Sequence, residues 1–302
     1  MKAHTLKRPG LKRAQLRRSL VFIFTAALSL LFLLPTVLTL TNSFMSQTEL
    51  AAHYGAIFSS LTDSKTFVSE TVRFKFIPNQ VSFKQFYTVL LQSPEYLLKF
   101  WNSVILVAPI VLGQVAIAAL ASYSLMRYTG RIRSLIFFSY VILMLMPYQV
   151  MLVPNYLVAD WLHLLNTRWA ILFPGFFAPF SVFLLTKFMR RIPAALIEAA
   201  LIDGASEWQV FTKVCLPQCR SALYSIVILV FIDYWNMVEQ PLILLDDVEK
   251  QPLSVYLSTI NSGEVGVAFA VAVIYMIPPL LLFLHGEEYL IEGITHSGSV
   301  KG

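Results

Sequence analysis

Asp233, Asn236 and Glu239 interrupt the otherwise apolar stretch Leu223–Leu245. On one helix, residues three apart share a face, so Asp233 and Asn236 align and Glu239 falls about a turn further. A carboxylate turned to lipid costs about 3 kcal/mol, so these groups are expected to face a bundle interior or a water-filled cavity. With Tyr234 and Trp235 they form a polar and aromatic patch of the kind that binds sugars. The alternative places Glu239 solvated at an interface and Trp235 in packing. Bond-making chemistry is missing from the pattern. No phosphate-cradling glycine loop, zinc-type spacing or nucleophile triad occurs, and His4, His53, His163, His285 and His296 are scattered. Cys215 and Cys219 stand one helical turn apart, too few thiols for a four-cysteine site. The reading is therefore of no catalytic residue, no metal and no enzyme.

A second constellation lies in Lys187–Arg220. Pro193 suits the first position of a helix, its missing N–H costing nothing there. The helix is predicted to run to Asp203, and Gly204 to end it through a left-handed turn. Ser206 with Gln209 three residues on forms a capping box that starts a second helix at once. Trp208, Phe211 and Cys215 then make an apolar stripe, and Pro217 marks the joint to the next span. A short helix, a tight turn and another helix with an exposed apolar stripe suit docking of a soluble partner. The alternative is a loop that packs on its own membrane helices alone.

The elements that hold these residues follow from composition. Of 302 residues, 57% are hydrophobic and 13% charged. That exceeds what one soluble core hides and excludes disorder. Runs of about 20 apolar residues are long enough to span a bilayer as helices. Six are predicted, at about 20–40, 102–126, 134–159, 169–186, 221–245 and 265–285, with period-2 alternation missing. The first run is too long for a signal peptide and lacks a cleavage site, so it is read as a retained span. Basic residues cluster before it (Lys2, Lys7, Arg8, Lys12, Arg13, Arg17 and Arg18), at Arg127–Arg133 and in the 187–220 loop, whereas Asp246, Asp247, Glu249 and Glu264 mark an alternate loop. Lys and Arg collect on the cytoplasmic side, so both ends are placed inside. The net charge of +6 is then a topology and lipid signal, not a nucleic-acid one. The domain reading is a basic tail, 1–19, and one transmembrane domain, 20–302. Its outer loop, 41–101, reads as a small cap or interfacial helix that could touch a soluble partner outside, or as a linker that packs on the spans.

Glu198-Ala199-Ala200, three residues, Gly204, nine residues, then Val214-x-Leu216-Pro217 resembles the EAA motif of ABC importer permeases, with Val214 where isoleucine is usual. Asn102-Ser103, Pro147-Tyr148-Gln149-Val150, Leu165-Asn166-Thr167, Ile192-Pro193, Ile202-Asp203-Gly204-Ala205, Trp235-Asn236 with Pro241-Leu242, and the end Gly293-Ile294-Thr295 to Val300-Lys301-Gly302 are similar to the carbohydrate branch, of maltose and glycerol-phosphate type. His285-Gly286-Glu287-Glu288-Tyr289 and His296-Ser-Gly-Ser depart from its usual Gln-Arg-Tyr and Ala-Gly-Ala. The resemblance implies an all-α integral membrane protein with the type I importer fold, both termini inside and a coupling helix between spans four and five. It implies an inner-membrane subunit paired with a second, different permease, two cytoplasmic ATPases that hold ATP and Mg, and an extracytoplasmic solute-binding protein. Glu198, Ala199, Ala200, Asp203, Gly204, Trp208, Phe211, Leu216 and Pro217 would couple to the ATPases. Asp233, Tyr234, Trp235, Asn236 and Glu239 are candidates for the substrate path, and the solute would be a sugar. Rival readings are an ABC permease for another solute, an ion-coupled transporter using Asp233 and Glu239, and a membrane-embedded enzyme.

Overall fold

The computed structural model describes residues 10–62, 75–259 and 265–298, and the described residues form helices and no strand. In chain order these are α1 (Gly10–Asn42), α2 (Gln47–Thr62), α3 (Pro94–Arg127), α4 (Arg131–Met144), α5 (Tyr148–Trp161), α6 (Trp169–Phe176) and α7 (Pro179–Met189). Then come α8 (Ala194–Ile202), α9 (Glu207–Gln218, π-helical over Val210–Cys215), α10 (Arg220–Trp235), α11 (Glu239–Leu244), α12 (Leu253–Ser258) and α13 (Val265–Gly298). Arg18–Asn42, Pro94–Arg127, Trp169–Met189 and Gly266–Leu290 are each long and apolar enough to cross a membrane. The count reaches six if the bent pairs α4–α5 and α9–α10 are each one span.

Proline places the bends. α4 and α5 meet at 106° around Pro147, the residue that starts α5. The expected fourth span is two helices, because Ala178, held extended before Pro179, interrupts it. α9 and α10 meet at 75° just after Pro217. The fifth span differs most from expectation: α10 ends at Trp235, Asn236 caps it, and Glu239 opens the separate α11. Glu239 therefore shares no helical face with Asp233.

Packing divides the chain into two compact units, residues 1–89 with 261–273, and residues 90–260 with 274–302. In the first, α1 leaves its apolar side chains outward, with Phe22 74% and Phe32 73% exposed. A helix that is apolar all round and left unburied has the surface of a membrane span. At its end, Asn42 donates to the Tyr54 hydroxyl (2.9 Å), and Tyr54 meets Phe269 at 6.1 Å between ring centroids. Glu49 accepts from Lys75 Nζ (2.7 Å) and from the Asn79 N–H (2.9 Å), and these bonds hold its carboxyl below the usual range. Residues 63–74 of the expected outer cap lie outside the described residues.

In the second unit, α3 is the hub. Leu106, Ile110, Ile171, Leu185, Met189, Ile226 and Trp235 form its buried core. Gly113 admits the Phe176 ring, which would stand 2.6 Å from any Cβ there. Gln114 donates to Ser181 Oγ (2.6 Å), and Ser122 donates to the Val182 carbonyl (3.0 Å). Such buried hydrogen bonds fix helix register where an unpaired polar group would be costly.

Candidate functional site

The 187–220 loop is organised by its own backbone. Pro193 caps α8, one position earlier than expected. At the other end the Gly204 N–H donates to the Leu201 carbonyl (3.1 Å) and the Ala205 N–H to the Ala200 carbonyl (3.0 Å). This Schellman pair satisfies carbonyls that the helix end would otherwise orphan, and it requires a left-handed residue. Gly204 supplies it at φ +82°. Ser206 Oγ accepts from the Gln209 N–H (3.3 Å) while Gln209 Oε1 accepts from the Ser206 N–H (2.8 Å), so the expected capping box is formed.

The loop is also pinned to the end of α3, which no local signal announced. Arg127 Nη2 donates to Glu207 Oε1 (2.8 Å), Arg127 Nε reaches both carboxylate oxygens, and Tyr123 donates its hydroxyl to Oε2 (2.5 Å). The Arg127 guanidinium, with the Tyr123 hydroxyl, holds the Glu207 carboxyl below its ordinary range. Ile197, Val210 and Cys215 form a small buried core beneath the turn. The expected exposed stripe is thus corrected in part: Phe211 and Cys215 are 4% and 0% exposed, and Trp208 alone of the three remains outside, at 63%. Leu196 and Ile202 of α8 are also exposed, the latter at 85%. Glu198 is exposed and lines a cleft of about 270 Å³ with Arg127 and Arg190. Ala199, Asp203 and Pro217 are exposed, and Ala200 and Leu216 half-buried. Cys215 and Cys219 are free thiols, and burial pushes Cys219 up to about 12.

The break after α10 opens an unenclosed cavity of about 530 Å³. Asp233, Tyr234, Asn236 and Glu239 line it, as do Tyr148 and Gln149 at the start of α5, and Gln240. Asn236 is held ready: its Nδ2 donates to the Ile232 carbonyl (2.8 Å), and its Oδ1 accepts from the Tyr275 hydroxyl (3.0 Å). Trp235 lies elsewhere. It is 1% exposed, stacks between Phe231 (5.1 Å) and Tyr275 (5.4 Å), and donates Nε1 to the Tyr275 carbonyl (3.1 Å). Its role is to fix the end of α10, as the packing alternative held. Tyr148, Gln149, Gln240 and Tyr275 were not singled out as site residues in the sequence. Pro147-Tyr148-Gln149 was visible as a motif, but nothing local tied it to residues some 85 positions away.

Other motif residues form a polar latch. Asn102 accepts from Arg168 Nη2 (2.8 Å) and donates to the Glu249 carbonyl (2.5 Å), while Ser103 Oγ accepts from the Leu253 N–H (2.9 Å). Asn166, at φ +59°, accepts from the Asp247 N–H (3.1 Å) and donates its own N–H to the Leu244 carbonyl (2.9 Å). Asparagine tolerates that left-handed backbone better than most residues. The latch ties the start of α6 and the α11–α12 loop to α3.

With this geometry in hand, comparison with known proteins is specific. The family described as binding-protein-dependent transport system inner membrane component matches residues 114–286, more than half of the chain. The arabinooligosaccharides transport system permease protein AraQ of Halalkalibacterium halodurans is 26% identical over 273 residues, covering 89% of this chain and 98% of that one. The diacetylchitobiose uptake system permease protein NgcG of Streptomyces coelicolor is 32% identical over 191 residues, covering 61% and 63%. Among solved structures, a bacterial ABC transporter involved in the import of the acidic polysaccharide alginate has a chain that superposes with TM-score 0.72 at 24% identity, covering 95% and 99%. That likeness shows the ABC importer permease fold. The chain belongs to the family of binding-protein-dependent transport system inner membrane components.

Proposed function

We propose that this chain is the six-span permease subunit of an ATP-driven sugar importer in a bacterial-type inner membrane. Both termini and the 187–220 loop lie on the cytoplasmic side in this reading, and 20–302 acts as one transmembrane domain behind the basic tail 1–19. A second, different permease completes the path, two cytoplasmic subunits bind ATP and Mg, and an extracytoplasmic protein delivers the solute. The relatives' arabinooligosaccharide and diacetylchitobiose names support a saccharide cargo. The observation that carries the coupling role is the pinned helix–turn–helix, with Leu196, Ile202 and Trp208 exposed and Glu198 lining a cleft with Arg127 and Arg190. Small Ala199 and Ala200 permit close approach of a partner, and Glu198 offers a charge-assisted contact. The cavity at Asp233–Gln240 is this chain's share of the solute path.

Reconstitution with the partner subunits tests the whole reading. Uptake of an oligosaccharide should need ATP and the binding protein. Uptake driven by an ion gradient without ATP would overturn it in favour of a secondary transporter. Topology is tested by external thiol labelling of single cysteines, with both native cysteines replaced by alanine. Labelling is expected at position 63 and not at 131 or 206; the reverse pattern would overturn the orientation.

A further inference from the structure

The cavity's charge narrows what passes it. Ten residues line the space, and none is lysine, arginine or histidine. Two are carboxylates, Asp233 and Glu239, both with exposed side chains. Neither Asp233 nor Glu239 is joined in an ion pair to a cation among the described residues. The other polar groups are neutral: the phenols of Tyr148 and Tyr234 and the amides of Gln149, Asn236 and Gln240. Phenols and amides exchange hydrogen bonds with sugar hydroxyls, and carboxylates accept from hydroxyl or ammonium groups.

Resting on the reading of this cavity as part of the solute path, we infer that its wall selects neutral or amino-bearing saccharides and disfavours uronates and sugar phosphates. An anionic sugar would meet two like charges with no compensating cation from this side. The same wall concentrates cations, because a cleft lined by one sign of charge focuses its field inward. The inference separates this chain from its fold neighbour, whose cargo is an acidic polysaccharide.

The test reads the field without knowing the sugar. Asn236→Cys, and separately Gln149→Cys, is placed in the assembled importer with Cys215→Ala and Cys219→Ala. In broken membranes, where reagents reach both faces, each thiol is modified with a cationic or an anionic methanethiosulfonate of similar size. The cationic reagent should be favoured about tenfold beyond its advantage on a free thiol. Asp233→Asn with Glu239→Gln should bring the ratio to within about twofold of the free thiol, since the field then has no source. Reaction of both reagents with no charge preference, or a preference unchanged in the double variant, would overturn the inference and leave the cavity reading standing. No reaction with either reagent at either position, in protein that labels normally once denatured, would overturn the cavity reading and the inference with it.

Discussion

The 187–220 loop and the Asp233–Gln240 cavity are both functional candidates of one compact unit, and they are built in opposite ways. The loop is made rigid by hydrogen bonds between near neighbours: Gly204 and Ala205 close α8, and Ser206 with Gln209 opens α9. Its surface mixes charged groups with exposed Leu196, Ile202 and Trp208. The cavity arises where a helix stops, and polar side chains from α5, α10 and the α10–α11 break are left facing space. A docking element has to keep its shape while a partner pulls on it, so satisfied backbone groups suit it. A solute path has to offer polar groups that can exchange partners, so side chains held by one or two exchangeable bonds, such as Asn236, suit that. The difference predicts that the loop fails through backbone strain and the cavity through lost side-chain chemistry.

The largest effect is expected at Gly204. No heavy atom lies within 4 Å of where a Cβ would stand, so bulk is not the obstacle there; φ +82° is. Valine would cost about 1–2 kcal/mol in a left-handed backbone. In the assembled importer, Gly204→Val should cut uptake about tenfold or more and leave ATPase activity unresponsive to solute, because the relief of strain reshapes the docking turn. Gly204→Asn should retain most activity, since asparagine adopts this backbone more readily. Membrane abundance must match wild type in both. Normal solute-stimulated ATPase activity and uptake in Gly204→Val would break the comparison at its rigid end.

At the cavity, Asn236→Leu leaves the backbone cap of α10 in place but removes one of two acceptors for the Tyr275 hydroxyl, the other being the Trp235 carbonyl, and a polar group from the wall. Uptake should fall about fivefold, or the preferred saccharide change, by the loss of one or two hydrogen bonds of about 1 kcal/mol each. ATPase stimulation per bound solute should remain. Unchanged transport of every saccharide tested would take Asn236 out of the path. Trp235→Phe serves as the control, since Trp235 holds the helix end and faces no cavity. It should lower thermal stability and leave saccharide preference unchanged.

What the sequence made legible follows the same divide. Gly204, the Ser206–Gln209 box and the apolar runs are signals within a few residues, and backbone geometry reads them directly. The end of α10 was not legible, because Leu223–Leu245 is apolar enough to continue as a helix. Its stop depends on Trp235 being seated by Phe231 and Tyr275, and on Pro241 beyond. Phe211 and Cys215 read as an outward stripe, since period alone cannot say which face the chain end of α3 will cover. Asp233, Tyr234, Asn236 and Glu239 were found by their polarity in an apolar run, whereas Tyr148 needed the bend at Pro147, and Gln240 the break after α10, to bring them in.

The smallest expected effect lies at the ion pair that joins the loop to α3. Arg127 and Glu207 stand 80 residues apart and join the turn to α3. Their side chains are 32% and 48% exposed, so solvent screens the pair and its worth is no more than about 1 kcal/mol. Glu207→Gln should therefore reduce uptake about two- to fivefold, less than Gly204→Val, because the Schellman turn and capping box survive it. Arg127→Glu combined with Glu207→Arg should recover part of the loss. The pH response follows from the carboxyl's depressed value. A group that titrates lower in the folded chain contributes its stability fully above its ordinary value of 4.5 and loses it as pH falls through the folded value. The ratio of wild-type to Glu207→Gln uptake should hence be flat from about pH 5.5 to 8 and shrink toward one only in stronger acid. A ratio that changes near neutral pH would show that another titrating group, not this ion pair, holds the turn to α3.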